Sequence, residues 1–271
     1  MNRNLAFLLA PFLFIACQPG QTSEEQTTEI NGAGLAYANP PADGFNEAGS
    51  DEKAIAIADS VMQAMGGRKA WDTTHYVAWN FFGSRSLLWD KQSGDVRIEV
   101  PRDSAIYLIN VNSDKGKVAM GGKEITNADS VAKFVEQGKS IWINDSYWLF
   151  MPFKLKDSGV TLTYAGEDTI QGGDRAEVLE LRFENVGVTP QNKYRVYVDP
   201  TDYMVEQWAY YPTVEMDTPR FITPWAEYEK YGSIMLGGDR GERDITDIEV
   251  MESVPEGTFS DLENFQLIKS S

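Results

Sequence analysis

Few residues in this chain have the type and spacing for covalent chemistry. The one histidine, His75, stands between Thr74 and Tyr76 at the head of a strand-like stretch. No Gly-x-Ser-x-Gly turn is present to raise a serine nucleophile, so His75 reads as a satisfied or exposed histidine. Gly237-Gly238-Asp239-Arg240-Gly241 lacks the Lys-Ser/Thr of a phosphate-binding loop and opens no helix, and it reads as a loop. Asp247 and Glu249 share a strand face, and without the spaced Asp/Asn ligands of a calcium loop that face reads as solvated. Acids that meet only in space keep a carboxylate-dependent hydrolase open as a distant reading. Neither a cofactor nor a metal site is expected.

The aromatic residues carry more information. Val77, Trp79 and Phe81 alternate on one strand face, and Trp89, Tyr107, Trp142, Trp148, Trp208 and Tyr210 are candidates for the same interior. They are the expected ligand-binding set. Packed together they form an ordinary core. Around an incompletely closed sheet they line a cavity for acyl chains, each buried CH₂ contributing about 0.8 kcal/mol.

Cys17, the only cysteine, carries a different chemistry. Arg3 gives the start a positive charge, and the apolar run from Leu5 to Ala16 is shorter than the roughly 20 residues that span a bilayer. It closes on Phe14-Ile15-Ala16-Cys17, which resembles the bacterial lipobox, with Phe14 in place of the usual leucine. Residues 1–16 are then an export signal and Cys17 the lipidated N-terminus, anchoring the protein to a membrane. Gln18 is not the aspartate that retains lipoproteins in the inner membrane of some Gram-negative bacteria. The expected address is therefore the cell envelope, at the outer membrane, facing the periplasm or the surface. With Cys17 consumed by lipid, disulfides, thiol nucleophiles and thiolate metal sites are excluded.

Composition bounds the rest. Lys+Arg 24 against Asp+Glu 41 gives −17, or −18 once Arg3 leaves with the signal, a charge that disfavours nucleic acid. Apolar residues at 42% and aromatics at 12% are too many for a disordered chain. Residues 17–49 are the exception, rich in Gln, Thr, Ser, Glu, Gly and Pro, and read as a tether of roughly 30 residues. A single domain over 50–262 and a tail over 263–271 complete the organisation.

Periodicity supplies the elements that position the aromatics. A helix is predicted from about Asp51 to Met65, with Ser50 as N-cap and Gly66-Gly67 where a left-handed cap belongs. From Tyr76 the period turns to two, through strands at Tyr76 to Phe82, Ser86 to Asp90, Val96 to Val100 and Ala105 to Val111, then a hairpin at Gly121-Gly122. In the third of these, Arg97 and Glu99 face away from the dry side. A second helix is predicted from Ala128 to about Gln137, capped by Asn127, before the aromatic stretch Trp142 to Phe153. Strands resume at Val160 to Tyr164, Ala176 to Phe183, Tyr194 to Val198 and Tyr203 to Tyr211, with a turn at Asp199-Pro200-Thr201-Asp202. Further strand-like segments are Phe221 to Tyr231, Ile234 to Leu236 and Ile245 to Met251. The fold class is α+β: one long curled antiparallel sheet, an open half-barrel, with helices covering its concave face.

The helix ending in Met65-Gly66-Gly67, the strand series after it, Tyr197-Val198-Asp199-Pro200-Thr201 leading to Trp208, and Ile248-Glu249-Val250 to Val254-Pro255-Glu256-Gly257-Thr258-Phe259 together resemble the LolA/LolB superfamily. The resemblance spans about residues 50 to 262. It implies an envelope protein that holds a hydrophobic or lipid ligand in a half-barrel, in lipid or lipoprotein trafficking, and no enzyme. Arg85 is the candidate counterpart of an arginine near the carriers' cavity mouth, a role not transferred to it. The alternative is a structural or protein-binding surface lipoprotein with a fully packed barrel and a partner the sequence does not name.

Overall fold

The structure is a computed structural model that describes residues 39–184, 186–187 and 189–263. The signal, Cys17 and the tether up to residue 38 lie outside the described residues.

Helix α1 (Glu52–Ala64) buries Ala54, Ile57, Ala58, Val61 and Met62, the stripe its spacing implied. Its N-cap is Asp51 rather than Ser50. Both side chains are taken by the strand alongside: the Asp51 carboxylate accepts the Tyr164 N–H at 2.8 Å and Ser50 Oγ accepts that of Leu162 at 2.9 Å. Docking the helix start to the sheet has displaced local capping. Gly66 follows with φ +113°, and a Cβ there would lie 2.4 Å from the Ser233 carbonyl oxygen, so the turn into α2 (Arg68–Thr73) needs glycine.

Among the described residues the strands all pair antiparallel, in three hydrogen-bonded ladders. The first takes β1 (Tyr76–Phe81), β2 (Arg85–Asp90), β3 (Asp95–Val100), β4 (Ala105–Asn110), β5 (Gly116–Met120) and β6 (Lys123–Glu124) in sequence order. The last strand, β14 (Ile245–Met251), returns to the free side of β1. The second holds β7 (Val160–Thr169), β8 (Arg175–Phe183), β9 (Lys193–Val198), β10 (Val205–Tyr211) and β11 (Phe221–Pro224). The third is the hairpin of β12 (Ala226–Tyr231) and β13 (Ile234–Asp239). The sheet is open, with β14 and β6 at opposite edges of the first ladder. The single long sheet of the sequence reading is divided because a helix separates β6 from β7, while Pro224, with no N–H to donate, ends β11.

That helix, α3 (Ala128–Phe150), is the largest departure from the sequence reading. Asn127 caps it as expected, its Oδ1 accepting the Ser130 N–H at 3.0 Å, but it runs 23 residues, past Gln137 through the aromatic stretch. Gly138 lies within it. A Cβ there would stand 3.2 Å from Ile109 and 3.3 Å from Tyr107, so the glycine lets the helix lie close on the sheet. α3 packs on β3, β4, β5 and β13. A second departure is Gly237-Gly238, read as loop and found within β13; added Cβ atoms would meet the Ala226 and Ile245 carbonyl oxygens at 2.6 and 2.4 Å. The glycines mark close backbone approach.

The main core lies on the helix side of the sheets and includes Val77, Trp79, Phe81, Val96, Ile98 and Tyr107. The opposite face is not wholly wet. Arg97 is on it and 0% exposed, paired with Glu99 at 2.6 Å and donating to the carbonyls of Thr258 at 3.0 Å, Asp261 at 2.7 Å and Glu263. Those carbonyls hold the segment after β14 against β3.

Candidate ligand-binding site

The C-terminal half of α3 faces one end of the five-stranded ladder, and a cavity of about 340 Å³ lies between them. From the helix come Trp142, Tyr147 and Trp148; from β8, β9 and β10 come Phe183, Tyr194 and Trp208. Strand pairing produces this convergence. β9 and β10 place Val196 opposite Trp208, with Tyr194 opposite Tyr210, so large side chains line up on one face. Tyr194 stacks on Trp208 at 4.9 Å between centroids, and Trp148 meets Trp208 edge-on at 4.8 Å. Tyr147 stands 5.6 Å from Tyr194 and 6.2 Å from Phe183. Asn144, Ser158, Thr189 and the Lys154–Asp157 ion pair supply the polar part of the wall.

Three donors in this wall have no acceptor: Trp142 Nε1, Tyr147 Oη and Trp208 Nε1 are all sealed from solvent and unpartnered. Trp208 is 1% exposed. A buried donor left unpaired costs about 1–3 kcal/mol, and each of these three must turn toward the cavity before it can meet an acceptor there. Burial, with Tyr194 and Asp157 nearby, pushes the Tyr147 hydroxyl well above its ordinary pKa. It stays neutral and can donate. Burial likewise lifts Tyr194 to about 12. The site offers apolar aromatic surface with polar groups at Asn144, Ser158, Thr189, Lys154 and Asp157, the combination that holds an apolar molecule with a polar end.

The expected ligand set is divided by the structure. Trp142, Trp148 and Trp208 line the cavity, and Tyr210 lies beside it, 5.5 Å from Tyr194, its hydroxyl donating to Asn192 at 3.3 Å. Val77, Trp79, Phe81 and Tyr107 are buried in the core instead, where Phe150 meets Trp79 edge-on at 5.4 Å. Trp89 is partly buried between Trp142, at 5.2 Å, and Trp71, at 6.2 Å. The end of α3 fills the sheet in front of β1 and leaves space in front of β9 and β10. Tyr147, Phe183 and Tyr194 were not in the expected set. The first lay in the quoted aromatic stretch, but only helical phasing turns it to the cavity.

Two buried ion contacts fix α3 in place. Asp145, 0% exposed in mid-helix, accepts two hydrogen bonds from Arg85 of β2, at 2.5 Å from Nε and 2.7 Å from Nη2. Burial raises the Asp145 pKa even against Arg85 and Asn144, whereas the hydrogen bonds to Asp145 strengthen the Arg85 cation. At the helix end Arg240 donates to the Trp148 carbonyl at 2.8 Å, satisfying one of the last-turn acceptors, and lies 3.6 Å over the Trp225 ring. His75 pairs with Asp90 at 3.2 Å, and Asp247 and Glu249 are exposed. Among the described residues no group of three His, Cys, Asp or Glu is placed to hold a metal.

No curated protein matches the chain at a significant level. Among solved structures it is similar to a DUF1329 family protein from Desulfovibrio piger, at 14% identity over 77% of this chain and 98% of that one, TM-score 0.42. It is also similar to a putative outer membrane lipoprotein-sorting protein domain from Vibrio parahaemolyticus, at 13% identity over 77% and 97%, TM-score 0.39. A LolA superfamily protein from Nitrosomonas europaea stands at 10% identity over 77% and 97%, TM-score 0.39. Residues 103–244, just over half of the chain and inclusive of α3 and the five-stranded ladder, match a family of unknown function, DUF6503, and the chain belongs to that family.

Proposed function

We propose that this protein is an envelope lipoprotein whose folded domain binds an apolar, lipid-class ligand between α3 and the five-stranded ladder, without covalent chemistry. The observation that carries this reading is the cavity wall: six aromatic side chains with three unpartnered donors around about 340 Å³. That volume falls within the roughly 300–1,000 Å³ of small-molecule pockets. An acyl chain would gain from the rings, and its carbonyl or carboxyl oxygens would accept from Tyr147 and the indoles once those side chains turn toward it. Trp142, Trp148 and Trp208 are the expected residues that serve it directly, with Tyr210 behind them. Val77, Trp79, Phe81, Trp89 and Tyr107 serve it as the packed support of α3.

The lipobox at Cys17 supports an anchor in the membrane and an outer-membrane address, with the domain handling lipid or lipoprotein within reach of its tether. No helix among the described residues is long and apolar enough to cross a membrane. The packed half of the interior favours a second reading, a structural or protein-binding lipoprotein. Displacement of a fluorescent fatty acid from the purified protein, with mass spectrometry of extracted lipid, separates the two. Saturable displacement and a co-purifying lipid support the first; no displacement and no lipid overturn it.

A further inference from the structure

Among the described residues that line the cavity between α3 and the five-stranded ladder, only Lys154 and Asp157 are charged, and they form an ion pair with each other. They face each other across the turn that follows α3, where the Asp157 N–H donates to the Lys154 carbonyl at 3.2 Å. That turn is pinned. Leu155 and Lys156, between the two, are buried; Lys156 pairs with Asp59, and its carbonyl accepts the Ala42 N–H at 2.9 Å. The Lys154 and Asp157 side chains are 33% and 39% exposed, so the pair stands where the cavity wall reaches solvent. We propose that the ligand of this cavity is a single-chain lipid with a zwitterionic head, its cationic end on Asp157 and its anionic end on Lys154, an inference that rests on the lipid-binding reading above.

The pair selects among heads by what each would do to it. An anionic head takes Lys154 and leaves Asp157 without its cation, and a cationic head does the reverse. A neutral head gains little from either. A head that carries both charges gives each side chain a new partner, through charge-assisted hydrogen bonds that are stronger than neutral ones. The chain follows from the rest of the wall. Asp157 stands near the Tyr147 hydroxyl, and Tyr147 leads on to Tyr194 and Trp208, so a chain attached to this head runs along the rings. Ile143, 36% exposed on the same wall, offers it a first apolar contact from solvent. A volume of about 340 Å³ lies at the lower end of the roughly 300–1,000 Å³ of small-molecule pockets, which suits one chain rather than two.

Displacement of a fluorescent fatty acid from the full chain by three lipids with the same dodecanoyl chain tests this: a lysophosphatidylethanolamine, a lysophosphatidylglycerol and a monoglyceride. The protein's charge of −17 repels the anionic lipid wherever it binds, so the neutral monoglyceride is the control that reads the pair. The zwitterion is expected to bind about fivefold more tightly than the monoglyceride, and more tightly still than the anionic lipid. Lys154→Met with Asp157→Asn is expected to bring it level with the monoglyceride, whose own affinity holds. Equal affinity of zwitterion and monoglyceride on the unaltered protein overturns the head assignment and leaves the lipid cavity standing. Displacement by none of the three overturns the lipid-binding reading and this inference with it. A folded double variant that keeps the full preference also overturns the assignment; if that variant fails to fold, the comparison on the unaltered protein decides.

Discussion

Replacing Arg85 with methionine would leave the Asp145 carboxylate alone in the interior. The carboxylate is 0% exposed, and with the bidentate guanidinium gone its remaining side-chain partner is Asn144 Nδ2 at 2.9 Å. Breaking a buried pair from one side costs about 3–5 kcal/mol, a large share of the 5–15 kcal/mol typical of a domain. Asp145 limits the loss by taking a proton. Its pKa is raised by burial even with Arg85 present and rises further without it. The native variant then holds a proton that the unfolded chain has released, so its deficit is greatest at neutral pH and shrinks as pH falls through the raised pKa. Replacing both partners, Arg85→Met with Asp145→Leu, removes the charge instead of stranding it and is expected to recover most of the loss. Urea denaturation of the four proteins at pH 7.5 and pH 5 reads the cycle. A single-variant cost below about 1 kcal/mol, or a double variant no better than Arg85→Met, refutes the reasoning.

Three further outcomes follow from the geometry. Tyr147→Phe keeps the ring and removes an unpartnered hydroxyl, so thermal unfolding of the free protein is expected to hold or rise slightly, while fatty-acid affinity falls about five- to tenfold, the worth of roughly 1 kcal/mol of hydrogen bond. Gly238→Ala places a Cβ 2.4 Å from the Ile245 carbonyl oxygen, which is backbone and cannot turn aside; a loss of about 3 kcal/mol in urea denaturation is expected. Burial, with Asp199, Asp174 and Asp202 nearby, raises the pKa of Glu206 on β10, so Glu206→Gln is expected to stabilise the free protein at neutral pH. A raised native pKa favours folding below the ordinary carboxylate range and loses that advantage as pH rises through it, so the gain should vanish in acid; a gain independent of pH contradicts the assignment.

Much of the fold was legible because single periods carried it. Ala54 to Met65 wrote a helix stripe, Val96-Ile98-Val100 a strand face, and Asp199 to Asp202 a turn, since each depends on local spacing. Gly237-Gly238 misled because a pair of glycines that permits close approach of distant backbone looks, in sequence, like a loop. Ser50 misled because its hydroxyl met a strand more than a hundred residues away, and local rules see only the chain nearby. The candidate site was half legible. The aromatic residues were visible as a load, but which of them close on Phe150 and which stand open before β10 depends on the length and phase of α3.

The central claim is that the space between α3 and the five-stranded ladder holds a ligand. A crystal structure of the protein grown with a saturating long-chain fatty acid tests it most directly. The expected result is continuous chain density among Tyr147, Tyr194 and Trp208 with the acid's oxygen within hydrogen-bonding distance of Tyr147 Oη. A cavity that stays empty of the acid, or closes by a shift of Trp148 or Trp208 while the acid remains in solution, contradicts it.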